Sequence, residues 1–278
     1  MFKNRTLLIA TMHEKEKVLA PVLEQALGVK CVVAKDFDTD VLGTFTGEVN
    51  RDDDPITTLR KKCSLAMEMY ACDLVVGSEG SFGPHPSLYF VHANDELVLF
   101  IDKKNNLEIF ARELTTDTNF NGAEVSSESD LLEFATKAKF PSHALILRKS
   151  KDVYTHITKG ITDVEFLKKT FNDLINNFGI AYVETDMRAM YNPTRMAVIE
   201  KAAQKLVDKI NSNCPQCSHP GFSVTEVKPG LPCNLCGSTT RSTLSYIFTC
   251  QKCSYNKEQM YPHNKTLEDP MFCDYCNP

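Results

Sequence analysis

Residues 6–34, TLLIATMHEKEKVLAPVLEQALGVKCVVA, carry the reading that decides the fold. The apolar run 7–10 has the length of a buried strand. Val18, Leu19, Val22, Leu23, Ala26 and Leu27 then recur at helical spacing over 15–27, and Gly28 supplies the stop. Residues 29–34 read as a second strand. A strand, a helix and a strand in close succession favour a parallel pair joined by a right-handed crossover. Further along, 96–102 and 107–114 look like an antiparallel hairpin turning at 104–106. The expected class is therefore α/β, a mixed sheet with flanking helices.

Outward from that unit, a polar loop rich in Asp, Thr and Gly fills 35–55, and Asp54–Pro55 opens a helix with Pro55 at its first position. This helix puts Leu59, Cys63, Ala66, Met67 and Tyr70 on one stripe and Arg60, Lys61 and Lys62 on another. Residues 74–77 form a strand, and 78–86, SEGSFGPHP, read as a Gly- and Pro-rich loop. Helices are expected near 130–139, 163–178 and 193–210, with strands at 144–148 and 180–183. A linker at 211–213 divides an α/β domain, 1–210, from a cysteine-rich domain, 211–278.

The second domain holds eight of the eleven cysteines as four Cys-x-x-Cys pairs: Cys214/Cys217, Cys233/Cys236, Cys250/Cys253 and Cys273/Cys276. A tight turn at this spacing aims two thiolates at one ion, and two such pairs complete a tetrahedral structural zinc site. Four pairs imply a ribbon with two structural zinc ions. Sequential pairing, 214 with 233 and 250 with 273, closes the shortest loops and is favoured over nested and crossed schemes. Cys31, Cys63 and Cys72 sit among apolar residues and read as buried structural thiols.

Composition excludes several classes. Net charge is −5 and charged residues make up 24%, so nothing draws the whole chain to nucleic acid or anionic membrane. In the cysteine-rich domain Lys228, Arg241, Lys252, Lys257 and Lys265 are matched by Glu226, Glu258, Glu268, Asp269 and Asp274, which leaves no basic footprint. No apolar run approaches a membrane span, and a cytoplasmic location is expected.

Chemistry is sought beyond the carboxyl ends of strands, where open α/β sheets bind ligands. Glu79, flanked by Ser78 and Gly80, is the first candidate, a carboxylate able to hold magnesium with phosphate and water. Asp53, within the acidic run 52–54, offers a second carboxylate. His85 is a candidate acid/base group. Lys15, Arg188 and Arg195 are candidate phosphate ligands.

The segments ATMHEKE, DTDVLGTFTGEV, SEGSFGPHP and ETDMRAMYNPTRM, with the cysteine pairs, resemble an uncharacterised bacterial family that joins an α/β domain to a zinc-ribbon end. Over about residues 5–80 the layout is also similar to the inosine/xanthosine triphosphate pyrophosphatases. Thr11, Lys15, the run 52–54, Thr58, Lys61 and the strand leading to Glu79 follow in that order, with Met12 and His13 where that family has an Asn. This resemblance implies that Glu79 is a metal ligand. The function expected is metal-dependent hydrolysis of a nucleotide or another phosphorylated small molecule. The alternative is a non-enzymatic adaptor whose zinc ribbon binds a protein partner.

Overall fold

The computed structural model describes residues 1–34, 37, 54–153 and 155–278, and divides into two compact units, Met1–Val207 and Asp208–Pro278. The acidic run with Asp52 and Asp53 lies outside the described residues. No helix among the described residues is long and apolar enough to cross a membrane.

The first unit opens with β1 (Thr6–Ala10), α1 (Glu16–Leu27) and β2 (Lys30–Val33), and β1 pairs parallel with β2 as a right-handed crossover requires. Gly28 ends α1 at φ 64°, a conformation that a side chain disfavours. Asp54 caps α2 (Pro55–Met69) by accepting from the amides of Ile56 and Thr57.

β3 (Leu74–Pro84) runs parallel to β1, then β4 (His92–Asp102) and β5 (Leu107–Thr115) extend the sheet antiparallel, giving the order β2-β1-β3-β4-β5. The stretch 78–86 is thus corrected. Up to Pro84 it is strand, fully paired with β4, and not a loop. α2 packs Leu59, Cys63, Ala66 and Met67 on Leu8, Ala10, Val75 and Leu99 of one sheet face. Gly77 permits this approach, because a Cβ there would lie 2.7 Å from Cys63 Sγ and 2.9 Å from Leu59 Cδ1.

A second, antiparallel sheet follows, built from β6 (Gly122–Val125), β7 (Leu145–Arg148), β8 (Thr158–Ile161) and β9 (Ala181–Thr185) in the order β6-β9-β7-β8. α3 (Glu128–Lys137) and α4 (Val164–Phe178) cover one of its faces with Leu131, Phe134, Leu167, Phe171 and Leu174. α5 (Pro193–Asn211) buries Val198, Ile199, Ala202, Ala203 and Leu206.

The second unit is a three-stranded antiparallel sheet of β10 (Ser223–Pro229), β11 (Thr243–Thr249) and β12 (Asn256–Met260), with cysteine turns at its ends.

Candidate functional sites

β1 stops at Ala10, opposite Gly77, while β3 runs on for seven more residues. Beyond Gly77 the edge of β3 has no neighbouring strand among the described residues, and the chain leaving β1 brings Lys15 to it. His13 and Glu14 turn there with φ of 63° and 61°, and Lys15, the residue before α1, points back into the fold. Its ammonium is buried, 3.4 Å from the Ser78 carbonyl oxygen, which accepts from it.

Side chains alternate along β3, so this edge looks onto both faces of the sheet. On the α2 face Glu79 accepts from Lys62 at 2.6 Å, and both side chains are buried. On the other face Glu96, opposite Gly80 in β4, accepts from Arg195 Nε at 2.7 Å, both fully buried. A Cβ on Gly80 would overlap the Glu96 carboxylate and lie 2.6 Å from Arg195 Nη2, so glycine makes room for this pair. Arg195 also donates to the Met187 carbonyl oxygen, and Asn192 accepts from its backbone amide at the start of α5. Just past β9, Arg188 donates to both carboxylate oxygens of Asp186, at 3.0 and 2.6 Å, and lies over the Tyr191 ring.

Three carboxylates therefore each have a cation, and Lys15 is the surplus charge of this group among the described residues. Burial first, then the charges of Arg195 and Lys62, push its pKa down to about 7, against the pull of Glu96 and Glu79. His13 is held down at about 4 by burial and by the charges of Lys15, Arg195 and Arg188, so its imidazole is neutral at pH 7. Just past β1, in β3 and in β4, Thr11 Oγ1, Ser78 Oγ and both amide atoms of Asn94 are buried with no hydrogen-bond partner among the described residues. Buried polar atoms without partners are rare and call for a bound molecule or ordered water.

Of the sequence candidates, Glu79 and Arg195 both act on Lys15 but from opposite faces of the sheet, and Arg188 acts on His13. His85 stands apart. It lies beyond the far end of β3, six residues from Glu79 and so roughly 20 Å along an extended strand, where its Nδ1 accepts from the amides of Ser87 and Leu88 in the hairpin turn. Asp53 falls outside the described residues. Sequence reasoning did not single out Lys62, Glu96, Asp186 or Asn94. Lys62, on one stripe of α2 with Arg60 and Lys61, is buried.

The eight paired cysteines gather into two groups that could each hold a metal ion: Cys214, Cys217, Cys250 and Cys253, and Cys233, Cys236, Cys273 and Cys276. The sequential pairing expected from loop length is overturned. Antiparallel pairing of β10 with β11 sets Ser223 beside Thr249, which carries the first turn to the third. The second and fourth turns meet through Glu268, whose residue bridges to Cys233. Sheet topology thus outweighs the small entropy saved by closing local loops.

The turns share one construction. The amide four residues after the first cysteine donates back to its carbonyl, as in Ser218 to Cys214, Gly237 to Cys233, Ser254 to Cys250 and Asn277 to Cys273. Ser218, Gly237 and Ser254 are left-handed there. Across pairs the sulfurs stand 3.6–3.9 Å apart. Disulfide sulfurs would be about 2.0 Å apart, whereas a tetrahedron with arms of about 2.3 Å has edges of about 3.8 Å. His219 and His263 belong to neither group. Cys63 is buried as expected, while Cys31 and Cys72 are only partly so.

Among solved structures the chain is similar to the crystal structure of protein VC0702 from Vibrio cholerae, with 9% identity and a TM-score of 0.34, over 74% of this chain and 94% of that one. No curated protein matches. Residues 62–278 match the family described as a domain of unknown function, DUF6671, and the chain belongs to that family.

Proposed function

We propose that the first unit binds a phosphorylated small molecule, a nucleotide above all, and hydrolyses it with a divalent cation. The observation that carries this reading is Lys15, a buried ammonium that meets the Ser78 carbonyl oxygen and no carboxylate among the described residues, while the hydroxyls of Thr11 and Ser78 are buried without partners. A phosphate oxygen would supply the missing negative charge, and Thr11 and Ser78 would donate to it. Arg188 would add a planar fork, and Arg195 a fixed positive charge held by Glu96.

No group of three or more oxygen ligands forms a cage among the described residues. Magnesium suits such a place, because it is commonly held by one or two carboxylates, substrate phosphate and water. Glu79, oriented by Lys62, is the carboxylate that would hold it. The cation would neutralise charge on the transferred phosphoryl group and activate water. The choice of a nucleotide rests on the resemblance of residues 5–80 in sequence layout to the inosine/xanthosine triphosphate pyrophosphatases.

The sulfur spacing supports zinc in both cysteine groups, and eight thiolates kept for metal suit the reducing cytoplasm. The test is a screen of nucleoside triphosphates and phosphate esters with magnesium or manganese. Glu79→Gln should lower turnover at least 100-fold at a temperature where the variant is still folded, and it should also lower the melting temperature, because the buried Lys62 ammonium loses its carboxylate. Failure of every phosphorylated compound to bind or react refutes the reading.

One observation favours the adaptor reading. Leu235, Met271, Phe272 and Tyr275, on or next to the turns of the second cysteine group, are exposed, and where such side chains join into one contiguous patch they mark a protein interaction site. If Leu235→Ser with Tyr275→Ser abolishes binding to a protein partner while no phosphorylated compound reacts, this reading replaces the first.

A further inference from the structure

Building on the phosphate-site reading, we propose that Asn94 recognises the paired donor and acceptor of a nucleobase, which makes the ligand a nucleotide and not a sugar phosphate or polyphosphate. Asn94 is fully buried within β4, and neither its Oδ1 nor its Nδ2 has a hydrogen-bond partner among the described residues. A leucine would fill about the same volume without leaving two polar atoms unpaired, so the amide weakens the fold where it stands.

Its position relates it to Lys15. Asn94 pairs directly with Phe82 in the β3–β4 register, and Glu96, two residues on, pairs with Gly80. Ser78, Gly80 and Phe82 alternate onto one face of β3, so Ser78, the Glu96–Arg195 pair and Asn94 follow one another along a single line. Four residues of strand separate Ser78 from Phe82, roughly 13 Å, comparable to the reach of a nucleotide from its terminal phosphate to its base edge. Lys15 stands at the Ser78 end of that line.

The far end is aromatic, and a base would have to join or displace contacts that Phe82 already makes. The Phe82 ring stacks on Phe120 at 5.6 Å and 28°, the Arg195 guanidinium lies 5.1 Å from the Phe82 centroid, and His92 meets Phe120 edge-on. Bases stack on aromatic rings whatever their sequence identity, whereas a carboxamide reads an edge by donating and accepting at once. A sugar phosphate or inorganic polyphosphate has neither a stacking face nor that edge.

The test measures binding to the full-length protein, with magnesium, of tripolyphosphate, ribose 5-phosphate and the common nucleoside triphosphates, by calorimetry. Wild type should bind at least one nucleoside triphosphate tenfold or more tighter than tripolyphosphate. Asn94→Leu should erase that preference, leave the tripolyphosphate Kd within about twofold and melt no lower than wild type. Asn94→Ser, which is smaller and still polar, carries the test if the leucine variant misfolds. Retention of the preference by both variants, or tripolyphosphate binding without any nucleotide preference in wild type, overturns the role of Asn94 alone. Absence of tripolyphosphate binding overturns the phosphate site as well.

Discussion

Just before α1 the buried ammonium of Lys15 has one hydrogen-bond partner among the described residues, the Ser78 carbonyl oxygen 3.4 Å away. Its pKa falls to about 7 from an unfolded value of 10.5. Between those values the unfolded chain binds more protons than the folded one, so this residue makes stability rise with pH. Below about pH 7 both states are protonated and the whole penalty stands. Lys15→Met should therefore melt above wild type at pH 6–7, with the difference shrinking towards pH 10.5, as a pH series of melting curves will show. Each kcal/mol recovered corresponds to about 2–4 °C for a domain of this size. A stabilised variant that no longer binds tripolyphosphate would mark Lys15 as a group kept for its ligand. Binding should also draw a proton from solution at pH 8, because a phosphate beside Lys15 restores the charged form. Calorimetry in buffers of different ionisation enthalpy measures that uptake. Binding heats independent of the buffer would count against it.

Among the elements, β3 shows what a sequence hides. The unit of β1, α1 and β2 was legible because its apolar residues keep a regular period and Gly28 stands where a left-handed stop is needed. Beyond Gly77 the glycines, serines and proline of β3 carry the chemistry of a turn, yet Gly77 and Gly80 serve close packing against Cys63 and the Glu96–Arg195 pair. Gly77→Ala should cost about 1–3 kcal/mol by overpacking. Adding Cys63→Ala should return part of that loss, a non-additivity that denaturant titration of the double-mutant cycle resolves. β6 and β8 escaped notice because GAEV and TKGI are short and mostly small or polar. The candidate site was half legible for a related reason. Glu79, Lys15, Arg188 and Arg195 stood out by residue type, but their partners are set by topology. Lys62 is 17 residues from Glu79, and Glu96 is 99 from Arg195.

For the whole molecule, the two units should respond separately to metal. Each chain should contain two zinc ions, and chelation should unfold Asp208–Pro278 while a cooperative transition survives in Met1–Val207. Metal analysis and calorimetry with and without chelator decide this; one zinc per chain, or loss of both transitions together, contradicts it. After cadmium substitution, one ion should couple to Cys214, Cys217, Cys250 and Cys253, and the other to the remaining four. The interleaved pairing has a consequence for how the protein is made. A ribosome delivers Cys233 and Cys236 before Cys250 and Cys253, so four thiolates in sequential order are complete while the native first group still lacks half its ligands. A zinc ion captured at that moment has to be released before the native groups can close. Refolding should therefore slow when free zinc is in excess and recover when a weak chelator buffers it, which makes the supply of metal, as much as its presence, a determinant of how quickly this chain matures.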